Sequence, residues 1–378
     1  MLSIWEQQSF VDKDIVIIGS GITGLSAAAY IAEKHPEREV TILERGFFPS
    51  GASTKNAGFA CFGSLTEIVD DLIHMPEQEV VNLVELRLRG LALLKERLGT
   101  TAIGFEQLGG HELIQPTNRW CLDKLDYVNE LLRPIFGRHC FEQRSELITK
   151  FGFGNAGDSE LVYTPFEGQL HTGMMMKQLM AFVRNKNVEV YTNTEVTDLE
   201  DHQSFVKVNT AQQISLRANQ VLVANNGFVS KLLPEVDVKP GRGLVLSTKP
   251  IKNLQIRGTF HMEMGYYYFR NLDNRLVLGG GRNLDFDGET SMEAAVNPKI
   301  ISHLEQMLHD VILPGYDYEI ETVWTGTMGF GPSKSATIRA ISDNITIGVG
   351  LGGMGVAIGS IIGEQLAKLS LTGFKEEF

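Results

Sequence analysis

Residues 14–44 read "DIVIIGSGITGLSAAAYIAEKHPEREVTILE". The first six form an apolar, β-branched run of the kind that lies buried on both faces in a parallel sheet. A glycine turn comes at once, in which Gly19, Gly21 and Gly24 spell G-x-G-x-x-G. From Ile22 the chain reads as a helix carrying small residues on the side laid against the sheet, and "EVTILE", residues 39–44, reads as a second strand. That strand ends in Glu44, twenty residues after Gly24.

Each part has a physical task. The first glycine permits the tight turn, the second lets backbone approach a pyrophosphate, and the third allows the helix to pack closely on the strand. Free N–H groups at the helix start face the phosphates. Glu44 is placed to accept hydrogen bonds from the adenosine ribose hydroxyls. Glycines alone also punctuate ordinary turns, but strand, turn, helix, strand and terminal acid in this order predict a bound dinucleotide.

The chain does not continue with the second helix and strand of a nicotinamide-binding unit. "RGFFPSGASTKNAGFACFGS", residues 45–64, is polar and glycine-rich, suited to setting hydroxyls and N–H groups against a second part of the cofactor. Phe59, Cys61 and Phe62 within it imply burial rather than a surface loop.

Composition bounds the rest. A chain of 378 residues with 43% hydrophobic and 21% charged residues is long enough for about two globular domains. The net charge of −12, with no basic run, argues against a nucleic-acid partner. Cys61, Cys121 and Cys140 are odd in number and scattered, as are the nine histidines, so neither a disulfide framework nor a metal site is expected. The opening residues lack the pattern of a secretory signal, which predicts a cytoplasmic protein.

Along the chain, helical spacing over 78–98 and again near 119–136, with a break around Pro134, precedes a methionine-rich helix from Gly173. Strands are expected from Val188 to Val223, and residues 256–282 alternate as two further strands joined by a turn at Asp273 and Asn274. Strand and helix units at both ends with strands between them predict a discontinuous nucleotide domain of residues 1–80, 155–238 and 322–378. A second domain, an antiparallel-sheet α+β unit of residues 81–154 and 239–321, is inserted in it. The fold class expected is α/β.

The ordered set "VIIGSGITGLSAAAYIAEKHPEREVTILERG", "GASTKNAGF", "QVLVANNGFVSKLLP" and "IGVGLGGMGVAIGSIIGEQLA" resembles the D-amino acid oxidase family of flavoenzymes, which includes sarcosine and glycine oxidases. "YYYFRNLDNRLVLGGGR" with "VWTGTMGF" after it is more particularly similar to the gamma-glutamylputrescine oxidoreductase branch of that family. The resemblance implies FAD in a Rossmann-type domain. Gly19, Ser20, Gly21, Ile22, Thr23, Gly24, Glu44 and Arg45 would hold the ADP half, and Ser53, Thr54, Lys55, Asn56, Ala57 and Gly58 would approach the pyrophosphate and isoalloxazine. Val196 matches a position whose backbone contacts the adenine, and Asn225, Asn226 and Gly227 match a turn that in the family usually reads Ala-x-Gly or Thr-x-Gly. Gly352, Gly353, Met354, Gly355 and Val356 would lie beside flavin N1 and the C2 carbonyl, where a helix N-terminus stabilises negative charge.

The departures from the family are equally specific. Val277 stands where sarcosine oxidases carry an oxygen-activating lysine, which leaves oxygen and a quinone both open as electron acceptor. Met328 and Ala357 replace the basic residues that hold a substrate carboxylate in glycine and sarcosine oxidases, so an acid group would have to be held elsewhere, by Arg270, Arg242 or Lys334. The N-terminal loop has no histidine and the C-terminal third no cysteine, which implies non-covalent FAD.

The resemblance points to a small amine or amino acid as substrate, oxidised at its C–N bond. Tyr266, Tyr268 and Arg270 share one face of the presumed pocket strand by alternation and are the expected catalytic residues. An FAD-dependent 2-hydroxy acid dehydrogenase is the alternative; it needs a base, and His261 is numbered onto the opposite face from the two tyrosines. A flavin-binding protein without turnover is the third reading. Residues 344–363 carry no charge over a length that spans a bilayer, but seven glycines and a β-branched start make them a strand, a turn and a helix start instead of a membrane segment.

Overall fold

A computed structural model describes residues 2–154 and 157–372. The predicted α/β class holds: two eight-stranded sheets share the chain. In the first, the strands Ile345–Val349, Ser215–Val223, Asp12–Ile18, Val40–Leu43 and Glu189–Tyr191 lie side by side and parallel, with Ile17 set between Leu222 and Ile42. Alternation sends Ile15, Ile17, Ile42 and Leu222 into one core and Val16, Ile18, Leu43 and Val223 into another, which is why these strands read as unbroken apolar runs. Helices Ile22–Lys34, Thr172–Arg184 and Gly355–Thr372 cover the first core, and the antiparallel strands Val206–Thr210 and Val196–Asp201 close the second.

The other sheet runs in the order Ile320–Phe330, Lys239–Thr248, Arg275–Gly280, Tyr267–Leu272, Thr259–Met262, Gly110–Ile114, Glu160–Thr164 and Glu142–Gln143. One face is apolar: Leu244, Leu246, Phe260, Phe269, Leu276 and Leu278 pack against Ile300 and Leu304 of helix Pro298–Met307. The opposite face carries Val245, His261 and Tyr268, which line a cavity.

Several element boundaries differ from the sequence reading. Strand Glu160–Thr164 pairs with Gly110–Ile114 and so joins the second sheet, although it lies beyond position 155. Strand Ile320–Phe330 crosses position 322 as one continuous partner of Lys239–Thr248. Both are pulled across by long-range pairing that local pattern cannot show. Helix Leu125–Phe136 runs through Pro134, because that residue sits in its last turn and the helix ends two residues later, at Phe136, before Gly137 in the left-handed region. The turn at Asp273 and Asn274 stands as predicted, with Asp273 at φ 51°.

The uncharged twenty resolve into strand Ile345–Val349 and the start of helix Gly355–Thr372. Among the described residues no helix is long and apolar enough to cross a membrane.

Helix Glu77–Leu98 also joins the first core through Leu91 and Leu94, and crosses the last helix so closely that a Cβ on Gly90 would meet the Ala357 carbonyl. On an exposed helix, Gly→Ala gains about 1 kcal/mol. Here overpacking reverses the sign: Gly90→Ala is expected to lose about 1–3 kcal/mol, read as a lower midpoint of urea denaturation.

Candidate active site

The glycine turn is tied to the second strand by Glu44. Its buried carboxylate accepts from the Ser20 backbone N–H at 3.1 Å, from the Ser20 hydroxyl at 2.6 Å and from the Gly46 N–H at 2.8 Å. Gly24 faces the Gly19 carbonyl with no room for a Cβ, the close helix-to-strand approach that the third glycine was expected to provide. The Ser53 hydroxyl accepts from the Ile22 N–H at 3.0 Å, so the loop after the second strand reaches the helix start.

One cleft is lined by Gly19, Gly21, Ile22, Thr23, Glu44 and Arg45 on one side and by Ser53, Asn56 and Val196 on another. Asn225, Asn226, Gly352, Gly353, Gly355 and Val356 complete it. Lys55, Ala57 and Met354 line the cavity that opens from it. The remaining predicted residues stand behind these walls. Ser20 holds Glu44, Gly24 brings helix and strand together, and the Thr54 hydroxyl donates to Pro49 and Gly51 carbonyls. Gly58 receives the Asn56 side chain on its N–H, and Gly227 abuts the Met328 carbonyl.

The cavity measures about 600 Å³, within the ordinary range for small-molecule sites. Tyr266, Tyr268 and His261 line it together with Phe59, Phe330 and Met328. Tyr268 belongs to strand Tyr267–Leu272, whereas Tyr266 lies in the turn before it. Burial pushes the Tyr268 phenol up to about 12, so it stays a hydrogen-bond donor.

His261 corrects the parity argument. The turn Glu263–Tyr266, with Glu263, Met264 and Gly265 at positive φ, resets the alternation, and His261 pairs directly with Tyr268 on the same face. Its Nε2 lies 3.0 Å from Glu167 and its Nδ1 3.9 Å from Glu67. Burial works against the imidazolium, but Glu167, Glu67 and Glu112 outweigh it and hold the group up to about 9. Glu167 and Glu67 carried no sequence signal; long-range pairing brings them here. Cys61 lies beside them, its Sγ within 4.8 Å of ligand atoms of Glu167 and His261. Scattered numbering hid this trio. Burial and the two carboxylates hold the Cys61 thiol well above its ordinary range, and the imidazole and Glu167 already satisfy one another.

The three basic residues expected to hold a substrate acid are each committed elsewhere. Arg270 is buried on strand Tyr267–Leu272. It is 3% exposed, outside the cavity wall, and donates to the carbonyls of Gly58 at 3.0 Å and Leu170 at 2.8 Å. Burial lowers its guanidinium to about 10. Arg242 forms a two-pronged pair with buried Glu289, both bonds 2.8 Å, and Lys334 pairs with Asp71.

A glycine-turn cleft of this kind, opening into a cavity over a second sheet, defines a dinucleotide-dependent oxidoreductase. More particularly, residues 14–369 match the family model for FAD dependent oxidoreductases (DAO), and the chain belongs to that family. It is 24% identical to gamma-glutamylputrescine oxidoreductase of Escherichia coli over 97% of this chain and 85% of that one. Among solved structures, glycine oxidase from Geobacillus kaustophilus superposes with a TM-score of 0.77 at 19% identity, covering 97% of both chains. L-proline dehydrogenase from P. horikoshii gives 0.76 at 16%, covering 97% of this chain and 95% of that one.

The residues present fit FAD. Asn225 leaves a buried side-chain oxygen with no partner at the cleft, and Glu44 lines it. Asn226, at φ 47°, accepts from the Gly350 and Leu351 N–H groups and so fastens its own turn to the one before the last helix. The Ala357 and Ile358 N–H groups of that helix donate to the Met354 carbonyl, whereas among the described residues those of Gly355 and Val356 have no backbone acceptor and are open to an anionic partner.

Glu44→Gln removes a charged acceptor and is expected to weaken FAD binding by about ten- to a hundredfold, measured by quenching of flavin fluorescence. His261 gains stability from its carboxylate partners only while protonated. The stability advantage of wild type over His261→Gln should therefore be full below about pH 6.5, the ordinary histidine value, and vanish as pH rises through about 9, in urea denaturation across that range.

Proposed function

We propose that the enzyme oxidises a C–N bond of a small amine or amino acid, with FAD held non-covalently. Bound FAD supplies a hydride acceptor at N5, and the chemistry is the cofactor's own. A neutral amine needs no protein base for this step, because the nitrogen lone pair expels the hydride from the neighbouring carbon. The resulting iminium ion is hydrolysed by water to a carbonyl compound and a smaller amine or ammonia, with release of a proton.

The chain's residues bind and orient. The phenols of Tyr268 and Tyr266 donate toward the substrate or stack on it, and Phe59 and Phe330 keep water from the reacting carbon. The N-terminus of helix Gly355–Thr372 would offset negative charge on the bound flavin. The observation that carries the reading is the tyrosine-walled cavity opening from the dinucleotide cleft, in a chain similar over nearly its whole length to gamma-glutamylputrescine oxidoreductase.

One observation favours 2-hydroxy acid oxidation as a second reading: His261 lines the cavity beside Tyr268. A base must be unprotonated, however, and Glu167 holds this imidazole charged up to about pH 9.

The two readings separate in an anaerobic cuvette. Amines are expected to bleach the flavin at pH 7.5 and 2-hydroxy acids to leave it oxidised; bleaching by hydroxy acids alone overturns the amine reading, and no bleaching by either panel indicates a flavin protein without turnover. Readmitting oxygen, or adding a quinone analogue, identifies the electron acceptor left open by Val277.

A further inference from the structure

Arg282 is a charged wall of the cavity that the rest of the molecule does not use. Strand Arg275–Gly280 ends at Gly281, in the left-handed region, whose N–H donates to the Tyr266 carbonyl, and Arg282 emerges next to that tyrosine. Its guanidinium stacks over the Phe330 ring at 4.2 Å and reaches the Phe286 ring at 5.1 Å. Gly241 makes this stack fit, since a Cβ there would press on both Phe330 and the Arg282 Cζ.

Among the described residues no carboxylate lies within ion-pair distance of Arg282, and its Nε is buried with no hydrogen-bond partner. The other cations near the cavity differ. Arg242 is held by Glu289, Arg270 by backbone carbonyls and Lys334 by Asp71, while Arg87 donates to the Phe62 carbonyl. Lys55 also lacks an acid, but it sits on the loop assigned to the cofactor. A half-buried guanidinium kept flat between aromatic rings, with its donors unpaired, is costly unless an anion arrives. Its planar fork fits a carboxylate.

We infer that Arg282 is the anchor for a carboxylate carried by the substrate, so that the enzyme takes amines bearing an acid group in preference to plain amines. This rests on the proposal that the substrate is an amine. Tyr266, edge-on to Phe286 at 6.0 Å, closes the same end. Glu67 and Asp71 also line the cavity, but their ion-pair partners are His261 and Lys334, not Arg282.

The test uses the FAD-loaded enzyme with matched pairs: glycine and methylamine, 4-aminobutanoate and butylamine, 6-aminohexanoate and hexylamine, each also as the N-methyl derivative. In wild type the acid member of at least one pair should have the larger kcat/KM for anaerobic bleaching, by about ten- to a hundredfold. In Arg282→Met that ratio should fall to near one, mainly through KM, and Arg282→Lys should recover part of it. Butanoate titrated without turnover should perturb the flavin spectrum of wild type and not of Arg282→Met. An unaltered flavin content in both variants shows that the fold is kept. Equal ratios in wild type and Arg282→Met overturn the inference and leave the amine reading standing. An Arg282-dependent butanoate shift with no bleaching by any amine supports the anchor and overturns the amine reading instead.

Discussion

One buried guanidinium joins the two halves of this site. Arg270 reaches from the second sheet to the carbonyl of Gly58, in the loop beyond the second strand of the nucleotide unit, and to that of Leu170, just before helix Thr172–Arg184. It makes a third bond to the Asn271 carbonyl beside it. Hydrogen bonds to a charged donor contribute about 1.5–3 kcal/mol each, and leaving such a donor unpaired costs more. Among the described residues no carboxylate touches it, so the charge is met by carbonyl dipoles, and burial lowers the group to about 10. The loop is therefore held at a fixed height over the sheet that carries Tyr268. Asn56 adds to this by accepting from the Thr172 hydroxyl at 2.9 Å and from the Gly58 N–H.

With that loop fixed, the cavity's charges sort themselves by what each can reach. His261 is shared by Glu167 and Glu67, and Lys334 is taken by Asp71, whose own carboxyl burial pushes upward. Burial also raises Glu112, which accepts from Ser64 and Thr66 at the start of helix Leu65–His74. These groups answer one another on one side of the cavity. The same setting explains why Cys61 is a poor nucleophile: a thiolate there would be desolvated and would face Glu167 and Glu67.

How far the sequence could be read depends on the range of the interactions. The cofactor half was legible because it is local. Strand, glycine turn, helix and Glu44 lie within thirty-one consecutive residues, and each residue's task is set by neighbours in the chain. The substrate half is built from strands far apart in sequence. Arg270 lies on the predicted face, but its partners are Gly58 and Leu170, which no spacing rule connects to it. His261 was assigned to the wrong face because counting by twos assumes a continuous strand, and the turn at Glu263–Tyr266 breaks the count. Arg282 had a faint signal: a basic residue directly after three glycines, where the backbone leaves the sheet. Its lack of a partner is a property of the fold alone.

The Asn-Asn-Gly turn shows how a departure from a family pattern can keep the same mechanical result. A residue at φ 47° disfavours most side chains, and asparagine is among those that tolerate it. Asn226 uses its side-chain oxygen to accept from Gly350 and Leu351, and a Cβ on Gly329 would collide with that oxygen. The Gly352 N–H donates to the Gly329 carbonyl, so three segments converge: the turn after strand Ser215–Val223, the end of strand Ile320–Phe330 and the approach to the last helix. Phe330 ends the second of these, and it is the ring on which Arg282 rests. The asparagine thus links the position of the helix N-terminus that lines the cofactor cleft to the position of the cavity's unpaired cation. A change in this turn would therefore be felt at both ends of a bound amine, although Asn226 lines only the cofactor cleft.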